Sequence, residues 1–137
     1  MTITQIAHTP ETYNSPIAEA VALYEVIEAW PAGKVLFREG ALPEGVYFLH
    51  SGEVDLCFSS KPLLVAGAGQ FLGLTSVMSD RPHDSSATTR TPCVTGFIEK
   101  NRFLRLLEEK PALWLTVLQM ISSNISACWD CMRALGR

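Results

Sequence analysis

Val46-Tyr47-Phe48-Leu49-His50-Ser51-Gly52-Glu53-Val54 is an apolar run, a Ser-Gly pair and the start of a second run. Such a pattern reads as a strand, a tight hairpin and a return strand. Glycines recur on both sides of it, at Gly33, Gly40, Gly45, Gly52, Gly67, Gly69 and Gly73. Between them lie short runs bounded by turn residues: Lys34 to Phe37, Gly45 to His50, Glu53 to Phe58, Pro62 to Ala66, Ser85 to Thr89 and Cys93 to Glu99. Ser59-Ser60-Lys61-Pro62 marks a second hairpin, and Phe71-Leu72-Gly73 reads as a tight turn. Many short strands with regular turns predict a sandwich, barrel or jelly roll.

The flanks change to helical spacing. Ser15 reads as an N-cap with Pro16 at the first helical position. Ile17, Ala20, Val21, Tyr24 and Ile27 follow on one face, and Pro31 and Gly33 end the predicted helix. After the strands, Asn101 reads as the cap of a short helix carrying Phe103, Leu104, Leu106 and Leu107, and Pro111 opens a last one. Apolar residues of this last helix stand at Trp114, Leu118, Ile121, Ile125, Cys128, Met132 and Leu135. Their alternating spacing of four and three is a coiled-coil seam, which suits a second helix better than a curved sheet. The expectation is a symmetric homodimer joined along those seven residues.

The expected fold is therefore mainly β with flanking helices: a double-stranded β-helix, or jelly roll, with an N-terminal helix and a long C-terminal dimerisation helix. Residues 1–14 lack periodicity and read as an arm. Residues 15–137 form one domain, with the β-roll at about 32–99 and the C-terminal helices at about 101–135.

Composition bounds the function. The chain has 137 residues, is 47% hydrophobic and 18% charged, and carries a net charge of −3. Such a sequence folds into a packed domain. A negative balance without clustered Lys and Arg predicts no nucleic-acid partner. No run approaches the ~20 apolar residues of a membrane span, so no membrane role is expected. Met1 to Glu11 has neither the basic region nor the apolar core of a secretory signal. With Cys57, Cys93, Cys128 and Cys131 read as reduced thiols, the expected location is cytoplasmic.

Three stretches together carry a resemblance. Ala32-Gly33-Lys34-Val35-Leu36-Phe37-Arg38-Glu39-Gly40 is similar to the opening strand and Glu-Gly turn of the cyclic nucleotide-binding domain family. Val46 to Val54 is similar to its central strand and Ser-Gly hairpin. Ala68-Gly69-Gln70-Phe71-Leu72-Gly73 through Phe103 is similar to its phosphate-binding cassette and the strand that follows. The resemblance implies that Gly73 lets the backbone approach a ligand, with N–H groups at the start of a short helix turned to a cyclic phosphate. It also implies a Glu after that Gly, accepting from the ribose hydroxyl, and an Arg about ten residues on, pairing with the phosphate.

This sequence departs at both charged positions: Leu74 stands where the Glu belongs and His83, after Pro82, where the Arg belongs. An imidazole is mostly neutral at pH 7, and Asp84 beside it adds negative charge. Each lost charged hydrogen bond removes ~1.5–3 kcal/mol, so cyclic AMP is disfavoured as a ligand. Thr75, Ser76, Ser85 and Ser86 still place hydroxyls around the turn. The candidate ligand residues are Gly73, Leu74, Thr75, Ser76, His83, Asp84, Ser85 and Ser86, for a different small polar molecule or for none.

Other chemistries find less support. Cys128 and Cys131 have the spacing of a metal or redox pair, but read first as packing residues. Because Cys128 falls on the predicted seam, a thiol redox or metal sensor stays open as an alternative. His8, His50 and His83 are scattered and do not form the converging set that a metal-dependent enzyme needs. No Gly-x-Ser-x-Gly elbow is present. No catalytic residue, metal or cofactor is expected, and the chain reads as a regulator rather than an enzyme. Relatives of this kind that bind DNA carry a helix-turn-helix after the long helix, where this chain ends at Leu135-Gly136-Arg137, so no DNA binding is expected of it. The expected function is a regulatory small-ligand sensor signalling through its last helix. The alternative is a structural dimerisation module that docks an effector protein, with a vestigial pocket.

Overall fold

The computed structural model describes residues 16–59 and 61–121. Helix α1 (Pro16–Ala22) is followed by strands β1 (Val26–Trp30), β2 (Val35–Phe37), β3 (Gly45–Ser51), β4 (Val54–Phe58), β5 (Lys61–Ala66) and β6 (Phe71–Leu72). Helix α2 (Leu74–Ser79), strands β7 (Ser86–Thr89) and β8 (Cys93–Glu99) and helix α3 (Lys100–Glu109) complete the roll. A last helix, α4, begins at residue 112 and continues to the end of the described residues at 121.

The strands form two four-stranded antiparallel sheets, in the orders β1-β8-β3-β6 and β2-β7-β4-β5. This is the expected mainly β architecture with flanking helices. Strand β3 lies inside the first sheet and is covered on both faces. Val46 and Phe48 pack into a core with Ile17, Val21, Phe103, Leu107 and Val117 of the helices. Leu49 belongs to a second core with Leu36, Val54, Ala66, Leu72 and Ala87. Continuous apolarity from Val46 to Leu49 follows from that double burial.

Gly52 turns the β3–β4 hairpin at φ +95, and a Cβ there would lie 2.5 Å from the Pro92 carbonyl, so only glycine fits. Pro62 is tolerated because β5 is an edge strand. Buried Thr89 holds the turn before β2: its hydroxyl donates to the Pro31 carbonyl at 2.7 Å and accepts from the Lys34 N–H at 2.8 Å.

Several expectations are corrected. The first helix ends at Ala22 instead of continuing through Ile27, and residues 26–30 form β1. Ile17, Ala20 and Val21 are buried, whereas Tyr24 and Ile27 are 41% and 56% exposed. Val26 and Ile27 are β-branched, and β8 offers them an antiparallel ladder from Val26↔Phe97 to Trp30↔Cys93, which outweighs helical spacing. Phe71 and Leu72 form a short strand on β3, and the turn comes at Gly73. Glu99, not Asn101, caps α3, its carboxylate accepting from the N–H groups of Asn101 and Arg102 at 3.2 and 3.3 Å.

Helix α4 buries Leu113 and Val117 against the first core and leaves Trp114, Leu115 and Leu118 exposed. Of the expected seam, Trp114 and Leu118 point away from the domain, while Ile121 packs half-buried on its own core. Ile125, Cys128, Met132 and Leu135 lie outside the described residues, as do the arm at 1–14 and Cys131. Buried Cys93 sets its thiol 3.3 Å from the Glu53 carbonyl, and Cys57 is half-buried in β4; both are free thiols.

Candidate functional site

The segment from Phe71 to Ser86 folds as one unit: β6, a glycine turn, α2 and a return to β7. Gly73 adopts φ +81, a left-handed conformation that costs an L side chain ~1–2 kcal/mol. It precedes α2 without any side-chain cap, and its carbonyl accepts from the Val77 N–H at 3.1 Å. Asp80 ends the helix, also left-handed at φ 55, and its carboxylate pairs with Lys100 at the start of α3. The cassette is thereby tied directly to the C-terminal helices.

His83 lies at the centre of the unit. The residue is buried, at 5% exposure, and its ring stacks on Phe37 with centroids 3.9 Å apart and planes 17° from parallel. A Cβ added to Gly73 would come within 3.2 Å of His83 Cε1, so the glycine makes room for the imidazole. The backbone is clamped on both sides: the His83 N–H donates to the Ala41 carbonyl at 2.9 Å, and the Gly40 N–H donates to the His83 carbonyl at 2.7 Å. Burial pushes the imidazole below its ordinary pKa, and the neighbouring Asp84 carboxylate offsets part of that. The ring is accordingly neutral at physiological pH.

The remaining expected ligand residues separate. Leu74 is 2% exposed and belongs to the first core with Ile17 and Val77. Thr75 is half-buried and its carbonyl accepts from the Ser79 hydroxyl at 2.8 Å. Ser76 is buried, and its carbonyl accepts from the N–H groups of Asp80 and Arg81. Asp84 is exposed and Ser85 half-buried. Ser86 accepts from the Glu39 N–H at 2.8 Å. Of the eight, the fold brings Gly73 and His83 into contact.

Phe37 completes the stack, and only its place in an opening strand was evident in sequence. Tyr47 adds a further ring 6.1 Å from Phe37. Burial raises the Tyr47 phenol, with Glu44 and Glu28 adding to the shift, so its hydroxyl stays protonated and donates to the Leu36 carbonyl at 3.3 Å. An open groove of about 580 Å³ borders the end of this unit, lined by Arg38, Glu39, Gly40, Cys57, Ser86 and Thr88. Neither Gly73 nor His83 lines it. Among the described residues no group of His, Cys, Asp and Glu is placed to hold a metal, and no helix is long and apolar enough to cross a membrane.

The family profile described as cyclic nucleotide-binding domain matches residues 27–110. The chain belongs to the cyclic nucleotide-binding domain family. It is similar to the cAMP-dependent protein kinase regulatory subunit of Pyricularia oryzae, with 28% identity over 96 residues, and spans 69% of this chain but 24% of that one. A cyclic nucleotide-binding domain from Methylobacillus flagellatus superposes with a TM-score of 0.74 at 19% identity, covering 83% of this chain and 69% of that one. The catabolite activator protein of Thermus thermophilus gives 0.73 at 19% identity, covering 91% and 62%. At such identities the structural likeness speaks for the fold. Their names describe a regulatory subunit, a cyclic nucleotide-binding domain and an activator protein, and the matched span runs from within β1 through α3.

Proposed function

We propose that this chain is a cytoplasmic regulatory sensor of the cyclic nucleotide-binding family. Its altered cassette does not take cyclic AMP in the family's usual way, and its last helix signals as part of a homodimer. The observation that carries the reading is the Phe37–His83 stack beneath Gly73. The resemblance puts a permanent cation at His83 and an acceptor at Leu74; here one is a neutral packed ring and the other a core residue. Removal of two charge-assisted contacts weakens a phosphate ligand by ~3–6 kcal/mol in sum.

Signalling has a short route. A ligand that moves the cassette shifts Asp80, which pairs with Lys100, and so bears on α3 and then α4. Trp114, Leu115 and Leu118 form the exposed apolar face through which a second copy of α4 would read that shift. A second reading is a structural dimerisation or effector-docking module, favoured by the way His83 fills the cassette in the free chain.

Thermal denaturation across a panel of cyclic nucleotides, cyclic dinucleotides and other small polar metabolites separates the two. A true ligand at a hundredfold excess over its dissociation constant adds ~2.7 kcal/mol. Stabilisation of that size by any compound supports the sensor, and a flat panel favours the docking module.

A further inference from the structure

Neither ring nitrogen of the buried His83 has a hydrogen-bond partner among the described residues. Of the other buried polar residues, Thr89 and Thr95 use their hydroxyls in hydrogen bonds with Pro31 and Trp30, whereas Ser76 bonds through its carbonyl. Among the described residues no fully buried side-chain nitrogen or oxygen lacks a partner, so the His83 nitrogens keep a narrow contact with water. One face of the ring lies on Phe37 and its Cε1 edge abuts Gly73, which leaves the nitrogens as the reactive part. A buried polar group without a partner costs free energy, unless something else satisfies it.

The charged groups on every surrounding element are committed elsewhere or turned outward. Glu39, after β2, accepts from the Ser59 N–H, and Arg38 lines the outer groove. Glu44, before β3, is exposed, and Tyr47 within β3 donates to Leu36. Asp80, after α2, pairs with Lys100, and Arg81 is exposed. On the segment of His83 itself, Asp84 is exposed and is the neighbour whose charge acts on the ring. Among the described residues no Lys or Arg is hydrogen-bonded or ion-paired to His83 or Asp84.

We propose that this cassette takes up an anionic ligand together with one proton, the imidazole of His83 becoming the cation that holds it. The inference rests on the reading of residues 71–86 as a ligand cassette. In the step a neutral ring nitrogen accepts a proton from a buffer acid and the conjugate base stays in solution. No bond of the ligand breaks, and the imidazolium and the anion form a neutral pair. The family's permanent Arg is thus replaced by a conditional charge, present when proton and anion arrive together. Acid and ligand then act on one switch: either favours lifting the ring off Phe37.

The test is calorimetric titration of the intact chain with cyclic AMP, whose phosphodiester stays singly anionic between about pH 5 and 8. Repeating it in buffers of different ionisation heat counts protons. The proposal expects affinity to rise about tenfold per pH unit of acidification between the bound and free imidazole values, with one proton taken up per ligand. His83→Arg should bind at neutral pH and lose the pH dependence, while His83→Gln should bind weakly at every pH. The proton count on the unmodified chain does not depend on any variant folding. Binding with no proton uptake overturns the proposal and leaves the ligand cassette standing. Binding by His83→Arg alone, with the unmodified chain silent at about pH 5.5, does the same. Failure of both proteins at every pH overturns the cassette reading as well.

Discussion

Replacing His83 by Ala tests the packing at the centre of the cassette in the absence of any ligand. The residue is 5% exposed, its ring stacked at 3.9 Å on Phe37 with Cε1 3.2 Å from where a Cβ on Gly73 would stand. Deleting a buried Phe costs ~3–5 kcal/mol, and an imidazole is smaller and gives up more hydration on burial, so about 2 kcal/mol is expected. For a chain of this size that is roughly 6–10 °C in melting temperature. The pH dependence adds a second, independent reading. Burial holds the folded-state pKa of His83 below its unfolded value. Above about pH 6.5 the ring is neutral in both states and its packing contributes in full. As pH falls below that value the unfolded chain binds the proton first, and the contribution is lost toward the lower folded pKa. The gap between parent and variant in urea denaturation should therefore be widest at about pH 7.5 and narrow towards pH 5. A gap below about 0.5 kcal/mol at neutral pH would show that the ring is not packed as described. A gap that widens with acid would show an imidazolium already stabilised in the free protein, and would refute the reasoning.

Other sites give further expectations. Gly73→Ala forces an L side chain into φ +81 and sets its Cβ 3.2 Å from His83; a loss of ~1–3 kcal/mol in denaturant melts is expected, with the fold retained by circular dichroism. Gly96→Ala would put a Cβ 1.5 Å from the Glu25 carboxylate, which reaches His50 at 2.9 Å. Expelling that side chain should cost about 1–3 kcal/mol, and a neutral variant would mean that Glu25 does not pack there. Val117→Ala and Leu118→Ser, one residue apart on α4, should separate: the buried Val117 change lowers stability by ~1–2.5 kcal/mol, whereas the exposed Leu118 change leaves stability alone and weakens self-association in sedimentation velocity.

The β-roll was legible because its signals are local. Glycine turns, short alternating runs and the Ser51-Gly52 hairpin each act within a few residues, and the sheets follow those breaks. Strand β1 was hidden because Ile17 to Ile27 satisfies helical spacing, while the ladder that claims Val26 and Ile27 comes from β8, distant in sequence. Glu99 took the cap from Asn101 because β8 delivers its carboxylate directly to the free N–H groups of α3.

At the cassette the departures at Leu74 and His83 were legible as residue types, with the lost charged contacts they imply, and the packing of the two side chains was not. That Leu74 turns into the helical core depends on α1 and α2 meeting there. That the His83 ring is stacked in the free chain depends on Phe37, a strand residue with no sequence mark of such a role. Likewise the spacing from Trp114 onward does not reveal that Leu113 and Val117 are the residues α4 gives to its own domain.

The central claim is that this member of the family lacks its permanent phosphate cation and that His83 closes the cassette in the free chain. Calorimetric titration of the purified protein with cyclic AMP at about pH 7.5 tests it most directly. The account predicts no saturable heat at micromolar ligand. Tight, pH-independent binding at that concentration would contradict it, showing that the backbone and remaining hydroxyls hold the phosphate without a charge from His83.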